Sequence, residues 1–313
     1  MKFLMGVLCV AGLTLSILGQ SSPKLPSLPV PVSEQRWQPL TDRVDARLQA
    51  QLEMRLRAQP GWSSLIRNSK LAVALVDLSE PERPRFAHVN GNTMMYAASL
   101  PKIAILLAAV DAVEAGHLVL DRQLDKDLSD MIRRSSNKAA TRAIDRLGGL
   151  DKVNTVLKDP RFKFYDEETG GGLWVGRRYA KQSRRIPDPV NGISHGATAT
   201  QVARFYYRMA TGRIINFRAS QRMLGYMVDP DIHHKFVNSL DREAPDARLY
   251  RKSGTWKQWH ADSVLVWGPH WRRYILVGLV ESEKGEDIIR TLVTVAEDSL
   301  QNKLAMQIPL EED

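Results

Sequence analysis

Ser99 and Lys102 stand three residues apart in the stretch Ser99-Leu100-Pro101-Lys102, a hydroxyl and an amine at a spacing that can do chemistry. The run that follows, Ile103 to Val113, is almost entirely Ala, Leu, Ile and Val. It is too long for a strand and apolar enough for a core helix. Pro101 fits only the first turn of such a helix, where its missing N–H has no partner to lose, so the helix must begin close to Ser99. The hydroxyl then lies at the positive end of the helix, with the amine one turn on along the same face. The amine could take the serine proton, and backbone N–H groups could hold the oxyanion formed on attack at a carbonyl. The same letters also suit a helix N-cap serine followed by a surface lysine. Two further clusters bear on that choice: Arg134-Ser135-Ser136-Asn137 within helical text, and Lys252-Ser253-Gly254-Thr255 closing a strand. Singly these suit a polar helix cap and a strand end. Together they give Ser-x-x-Lys, Ser-x-Asn and Lys-Ser-Gly in order, each in a suitable element.

The elements that must position them can be read from periodicity. Val44, Leu48, Leu52 and Leu56 recur every fourth residue, predicting a helix capped by Thr41 or Asp42 and ended by Pro60-Gly61. Leu71 to Leu78 reads as a buried strand and Arg85 to Val89 as its partner. Helical text then runs from Gly116 to about Met223, with segments at Met131 to Leu147, Leu150 to Leu157, and Ala199 to Ala210 capped by Thr198. Asp159 to Gly196 interrupts it, rich in Gly, Pro and charge, and long enough to suggest a functional or disordered loop. Strands return at Arg248 to Thr255, Ser263 to Trp267 and Tyr274 to Val280, before an amphipathic helix from about Glu286 to Leu304. The order predicts a mixed α/β (α+β) fold, with an antiparallel sheet built from both chain ends and an all-helical subdomain inserted at about 116–245.

The chain has 313 residues, 43% of them hydrophobic, enough for one large domain. Lys2 followed by the apolar run Phe3 to Leu18 and a small-residue exit reads as an export signal over 1–20, although a retained membrane anchor is the other reading of such a run. Residues 21–40 read as a Pro/Ser linker and 41–313 as the catalytic domain. Export implies a periplasmic or secreted protein with no stable membrane span after cleavage. Cys9 is the only cysteine and lies within the signal, so the mature chain has neither disulfides nor thiol chemistry. The net charge of +9, crowded at Arg133-Arg134, Arg177-Arg178, Lys181 and Arg184-Arg185, suits a solvated basic surface or attraction to anionic partners such as a cell-wall surface. Nucleic acid fits poorly, because no stacking motif accompanies the charge. No metal or other cofactor is expected: the seven histidines include no His-Glu-x-x-His, and His233 and His234 are adjacent and do not share a face.

The three motifs and their surroundings resemble the penicillin-recognising serine enzymes, the serine β-lactamase and penicillin-binding protein (DD-peptidase) superfamily, and within it the class A β-lactamases. The resemblance runs from about Val44 to Leu304 and includes Ala97-Ala98 before Ser99, Ala139-Ala140 to Gly149 after the second motif, and His195-Gly-Ala-Thr-Ala-Thr-Gln-Val-Ala. It implies a β-lactamase/transpeptidase-like fold and a set of roles. Ser99 is the nucleophile toward a lactam or D-alanyl amide carbonyl. Lys102, its pKa lowered by burial and by Lys252, takes the serine proton. Ser135 relays a proton to the departing nitrogen, and Asn137 holds Lys102 and the substrate's side-chain amide. Lys252 supplies positive charge near the substrate carboxylate, which the Ser253 and Thr255 hydroxyls also bind. Gly254 lets the acyl group lie flat against the strand edge. The Ser99 and Thr255 N–H groups form the oxyanion hole. His195 and His260 are expected near the cleft edges as solvated or core residues, and the tryptophans as packing.

The sequence departs from the class A pattern in three places. Ser136 stands where those enzymes usually carry Asp. The span from Ser99 to Ser135 is shorter, implying a more open cleft. Most consequentially, Asp159 to Gly196 lacks the Glu-x-x-Leu-Asn motif whose glutamate activates the deacylating water. Asp166-Glu167-Glu168 precedes three glycines there; Glu167 or Glu168 could substitute as the base, or form a solvated acidic turn. Acylation should then survive while hydrolysis of the acyl-enzyme slows. The expectation is an exported, monomeric serine hydrolase acting on β-lactams through Ser99. The alternatives are a D-alanyl-D-alanine carboxypeptidase-like enzyme and a slowly deacylating β-lactam or muropeptide sensor.

Overall fold

Leu71–Asp77 forms β1, and every one of its residues is buried because both faces of the strand are covered. Alternation sends Leu71, Val73 and Leu75 into one core and Ala72, Ala74 and Val76 into another. In the computed structural model, which describes residues 27–269 and 271–301, β1 lies in an antiparallel sheet of order β2-β1-β10-β9-β8. Its other strands are β2 (Arg85–Val89), β8 (Arg248–Trp256), β9 (Trp259–Trp267) and β10 (Arg273–Glu281). The two strands from the N-terminal part thus join three from the C-terminal part, as the element order implies.

One face of the sheet is covered by α1 (Ala46–Ala58), α9 (Phe236–Glu243) and α10 (Gly285–Gln301), through Leu48, Leu52, Leu56, Phe236, Leu240 and Ile289 among others. The other face meets the helical part of the molecule: α3 (Lys102–Glu114), α4 (Arg122–Arg133), α5 (Asn137–Arg146), α6 (Leu150–Lys158), α7 (Ala199–Ala210) and α8 (Phe217–Met227). A short helix, α2 (Trp62–Arg67), precedes β1. In α3 the first nine residues are all buried, as befits a helix apolar all round its circumference. Small strands complete the molecule: β3 (Met95–Tyr96), β6 (Trp174–Val175) and β7 (His195–Ala197) form one sheet, and β4 (Tyr165–Asp166) pairs with β5 (Gly171–Gly172).

Four sequence expectations need correction. The helix expected over Met131 to Leu147 is two helices, because the chain leaves α4 through Ser135 at φ +56° and re-enters α5 at Ser136. Asp45, not Thr41 or Asp42, caps α1, its carboxylate accepting from Leu48 N at 2.7 Å; Thr41 and Asp42 lie in a preceding turn of 3₁₀ helix. The helix α9, expected within the helical subdomain, packs instead on the opposite face of the sheet beside α10, because Phe236, Val237 and Leu240 form one apolar stripe. From residue 27 the expected linker is docked: Val32 is buried, Val30 N donates to Ala210 O at 2.8 Å, and Trp37 stacks on Tyr207. The export signal and Cys9 lie outside the described residues.

Candidate active site

Three elements converge on Ser99. The turn before α3 carries it: Ala97 N donates to His195 O at 2.7 Å, pinning the turn to β7, and Ala98 takes a left-handed φ of +50°. Lys102 N then reaches back to Ser99 O at 3.3 Å, closing the first turn. The open edge of β8 lies against this turn. A Cβ built on Gly254 would stand 2.1 Å from Ala97 O and 2.6 Å from Ser99 N. Gly254 is therefore required for close approach of the strand to the turn carrying Ser99, a reason the sequence reading did not give.

The α4–α5 break supplies the third element. A serine at φ +56° is strained relative to glycine, and the break is stitched by Ser136, whose hydroxyl accepts from Ala139 N at 3.2 Å. The two helices are clamped by Asp127, fully buried, against Arg142, with Nε donating at 3.1 and 3.0 Å to the two carboxylate oxygens. Burial alone would raise the Asp127 pKa, but the hydrogen bonds from Arg142 and Gln123 outweigh it and hold the carboxyl below its usual range.

Lys102 is fully buried, and its Nζ donates to Ser135 O at 2.6 Å and to Asn137 Oδ1 at 2.7 Å, with Ser135 Oγ at 3.4 Å. Burial lowers its pKa to about 7, so a large fraction is a neutral amine able to accept a proton near neutral pH. Lys252 Nζ donates to Ser135 Oγ at 2.9 Å and to Ser253 O at 2.6 Å. Its pKa is also pushed well down, by burial first and then by the charge of Lys102. One hydroxyl, Ser135, thus bridges two lysines, a geometry through which a proton can pass. Ser99 and Thr255 line one cavity of about 730 Å³, together with Asn137, His195, Trp256 and Trp259.

Several residues of this site carry no motif signal. Tyr179 lies over Lys102, its ring centroid 4.5 Å from Nζ, and stacks face to face on His195 with centroids 4.5 Å apart. Burial lowers the His195 pKa to about 4, with the charges of Lys102 and Arg177 acting in the same direction, so that imidazole is neutral. Lys235, also buried, donates to Gly254 O at 2.6 Å and Thr255 Oγ1 at 2.7 Å, bracing the end of β8. Thr255 Oγ1 accepts in that bond, which leaves its own hydrogen free to donate. Ser253 Oγ lies 3.4 Å from His234 Nε2. Trp259, expected as packing, meets Tyr96 edge-on in the cavity wall. His260 does not line that cavity; it packs under Gly285 at the start of α10.

Glu167 and Glu168 lie elsewhere. Both are exposed at the tip of the β4–β5 hairpin, where Glu167 pairs with Lys158 at 2.7 Å, and neither lines the cavity that holds Ser99. They do not replace the missing base. No Asp or Glu among the described residues lines that cavity.

An antiparallel sheet edged by a Lys-Ser-Gly strand, set against a serine–lysine helix, defines a serine enzyme fold of the β-lactamase/transpeptidase type. A sequence model of the β-lactamase enzyme family matches residues 63–130 and 123–302, and the chain belongs to that family. The fold is similar to that of a β-lactamase from Sphaerobacter thermophilus DSM 20745, at 18% identity over 83% of this chain and 99% of that one, with a TM-score of 0.61. It is also similar to PBP-A, at 20% identity over 90% and 100% of the two chains and a TM-score of 0.59. An acyl-enzyme complex of a PBP-A variant with penicillin G matches at 20% identity over 86% and 98%, with a TM-score of 0.59. No curated protein sequence matches the chain.

Proposed function

We propose that this protein acylates Ser99 with β-lactams and D-alanyl peptides and holds the β-lactam ester, acting as a penicillin-binding D-alanyl-D-alanine peptidase rather than a fast β-lactamase. The observation that carries the reading is the Tyr179 ring seated over Lys102, in a cavity that no Asp or Glu lines among the described residues.

In this mechanism neutral Lys102 takes the Ser99 proton as Oγ bonds to the carbonyl carbon. The Ser99 and Thr255 N–H groups hold the oxyanion. Collapse breaks the C–N bond, and Ser135 gives its proton to the nitrogen and regains one from Lys102, the pair together returning the proton taken from Ser99. With a peptide, the released D-alanine leaves and opens a path for water to the ester. With a β-lactam, the amine stays tethered to the acyl group and obstructs that path, and no placed carboxylate activates a water. PBP-A, whose variant is described as an acyl-enzyme with penicillin G, is consistent with this reading. The description of the Sphaerobacter thermophilus relative as a β-lactamase favours rapid hydrolysis as the second reading. Export, read from residues 1–20, would bring the enzyme to a cell wall.

Intact mass after mixing with a penicillin tests the proposal. The expected result is a one-to-one adduct that persists for many minutes and is absent in Ser99→Ala. Neither adduct nor turnover would overturn acyl transfer; steady release of opened lactam without a lasting adduct would overturn retention.

A further inference from the structure

We infer that the cavity takes an acyl donor carrying free carboxylate on its acyl side, held by Arg177, Lys181 and Arg185. This rests on Ser99 being the acylating nucleophile.

All three cations line the cavity that holds Ser99. None has a carboxylate within ion-pair distance among the described residues. Arg177 donates instead to Ser183 Oγ at 3.0 Å and Lys181 O at 2.6 Å, and Arg185 donates to Gly192 O. This contrasts with the neighbouring Arg178, which pairs with Asp145, and with Arg142 and Arg161, which pair with Asp127 and Asp111. The backbones of Arg177 and Arg185 are joined by an antiparallel bridge. Directly opposed residues in such a pair project from the same face, and like charges so placed repel. Two unneutralised guanidinium groups on one face of a ribbon, inside a cavity without acidic lining, are stabilised by an anionic occupant. Tyr96 and His195 line the same cavity; burial raises the Tyr96 pKa against the opposing charge of Arg177, and lowers the His195 pKa with the charges of Lys102 and Arg177 adding to it.

Position decides which part of the substrate this anion belongs to. The carboxylate on the leaving side falls to Lys252 and Thr255 on β8. The loop cations stand on the wall formed by residues 177–185, which carries Tyr179 and is tied by Arg178 to Asp145 on α5, the helix that begins with Asn137. That wall faces the acyl portion, so a second carboxylate is implied there. Guanidinium groups suit it because they bind carboxylate through paired N–H donors. Lys181 and Arg185 are exposed and Arg177 half-buried, and all three border the cavity itself, within reach of a substrate seated there.

The test compares two penicillins that differ only in a carboxylate on the α-carbon of the phenylacetyl side chain. Acylation rates are followed by intact mass at low and high salt. The carboxylated compound is expected to acylate roughly tenfold faster at low ionic strength, with the ratio shrinking toward one in high salt. Arg177→Gln/Lys181→Gln/Arg185→Gln should bring the low-salt ratio to about one. Lys181 is exposed, so Lys181→Gln alone, expected to lower the ratio about twofold to threefold, serves if the triple variant does not fold. Equal low-salt rates, or a preference that survives these substitutions, overturn the inference while leaving the acyl-enzyme reading intact. If neither penicillin forms an adduct, the acyl-enzyme reading fails by itself. Equilibrium binding of the two compounds to Ser99→Ala then decides the inference: tighter, salt-sensitive binding of the carboxylated one supports it, and equal binding overturns it.

Discussion

Tyr179 and His195 lie flat on one another, their rings 3° from parallel, and the Tyr179 hydroxyl donates to Ala98 O at 3.2 Å. The stack ties the long loop to the strand β7 and to the turn that carries Ser99. It also seats an aromatic face over the Lys102 amine, the proposed acceptor of the serine proton. The proposed retention of a β-lactam ester rests on this contact.

Tyr179→Glu replaces that face with a carboxylate beside Lys102. A positioned general base contributes ~10²–10⁴-fold, so the decay of a penicillin adduct should accelerate at least about tenfold, as read by loss of adduct mass. Tyr179→Phe keeps the stack and loses only the bond to Ala98 O, so its adduct should decay within about twofold of wild type. Unchanged decay in the Glu variant, with its fold intact by circular dichroism, would remove Tyr179 from the account of retention.

Lys102 must be neutral to take a proton, and burial lowers its pKa to about 7. Below that pH the acylation rate should rise about tenfold per unit, levelling above it. Stability follows from the same shift. The unfolded chain keeps this proton up to the ordinary value of 10.5 while the folded chain releases it near 7. Between those values the unfolded state binds more protons, so stability rises with pH. Lys235, lowered to about 8, and Lys252 act with the same sign. Urea midpoints should therefore increase from pH 7 to about 9; a flat or falling series would show that these amines stay protonated in the fold.

Ser135 occupies a left-handed conformation that a side chain disfavours. Ser135→Gly relieves the strain and Ser135→Ala keeps it, so the glycine variant should be more stable by ~0.5–1 kcal/mol in chemical denaturation. Both lose the hydroxyl between the two lysines, and both should acylate ~10²–10⁴-fold more slowly. Equal stability of the pair would argue that the left-handed turn carries no strain.

Gly254→Ala places a methyl group against Ala97 O and Ser99 N. The strand edge and the nucleophile's turn must separate. A displacement of about 1 Å costs on the order of 10²-fold in rate, and overpacking costs ~1–3 kcal/mol. Acylation kinetics and a thermal melt report the two separately, and a variant acylating at the wild-type rate would show that the contact can be relieved without moving Ser99.

The sequence by itself determined the fold class, most of the elements and the candidate groups. An apolar run long enough to exclude a strand marked α3, and late segments that alternate or run apolar between turn signals marked the sheet's C-terminal half, because such patterning is a local signal. Ser99, Lys102, Ser135, Asn137 and Lys252 were legible because their spacing is tied to helix turns and a strand end. What only the tertiary structure decided lies where the chain departs from local preference or where contacts span long separations. Helical text through Ser135 hides a left-handed break that a glycine would have announced. The stripe of α9 does not say which face of the sheet it will cover. Glu167 and Glu168 had the right chemistry and the wrong address. Tyr179 sits 77 positions beyond Lys102 in a loop with no regular period, and only the docking of that loop on β7 sets the ring above the amine.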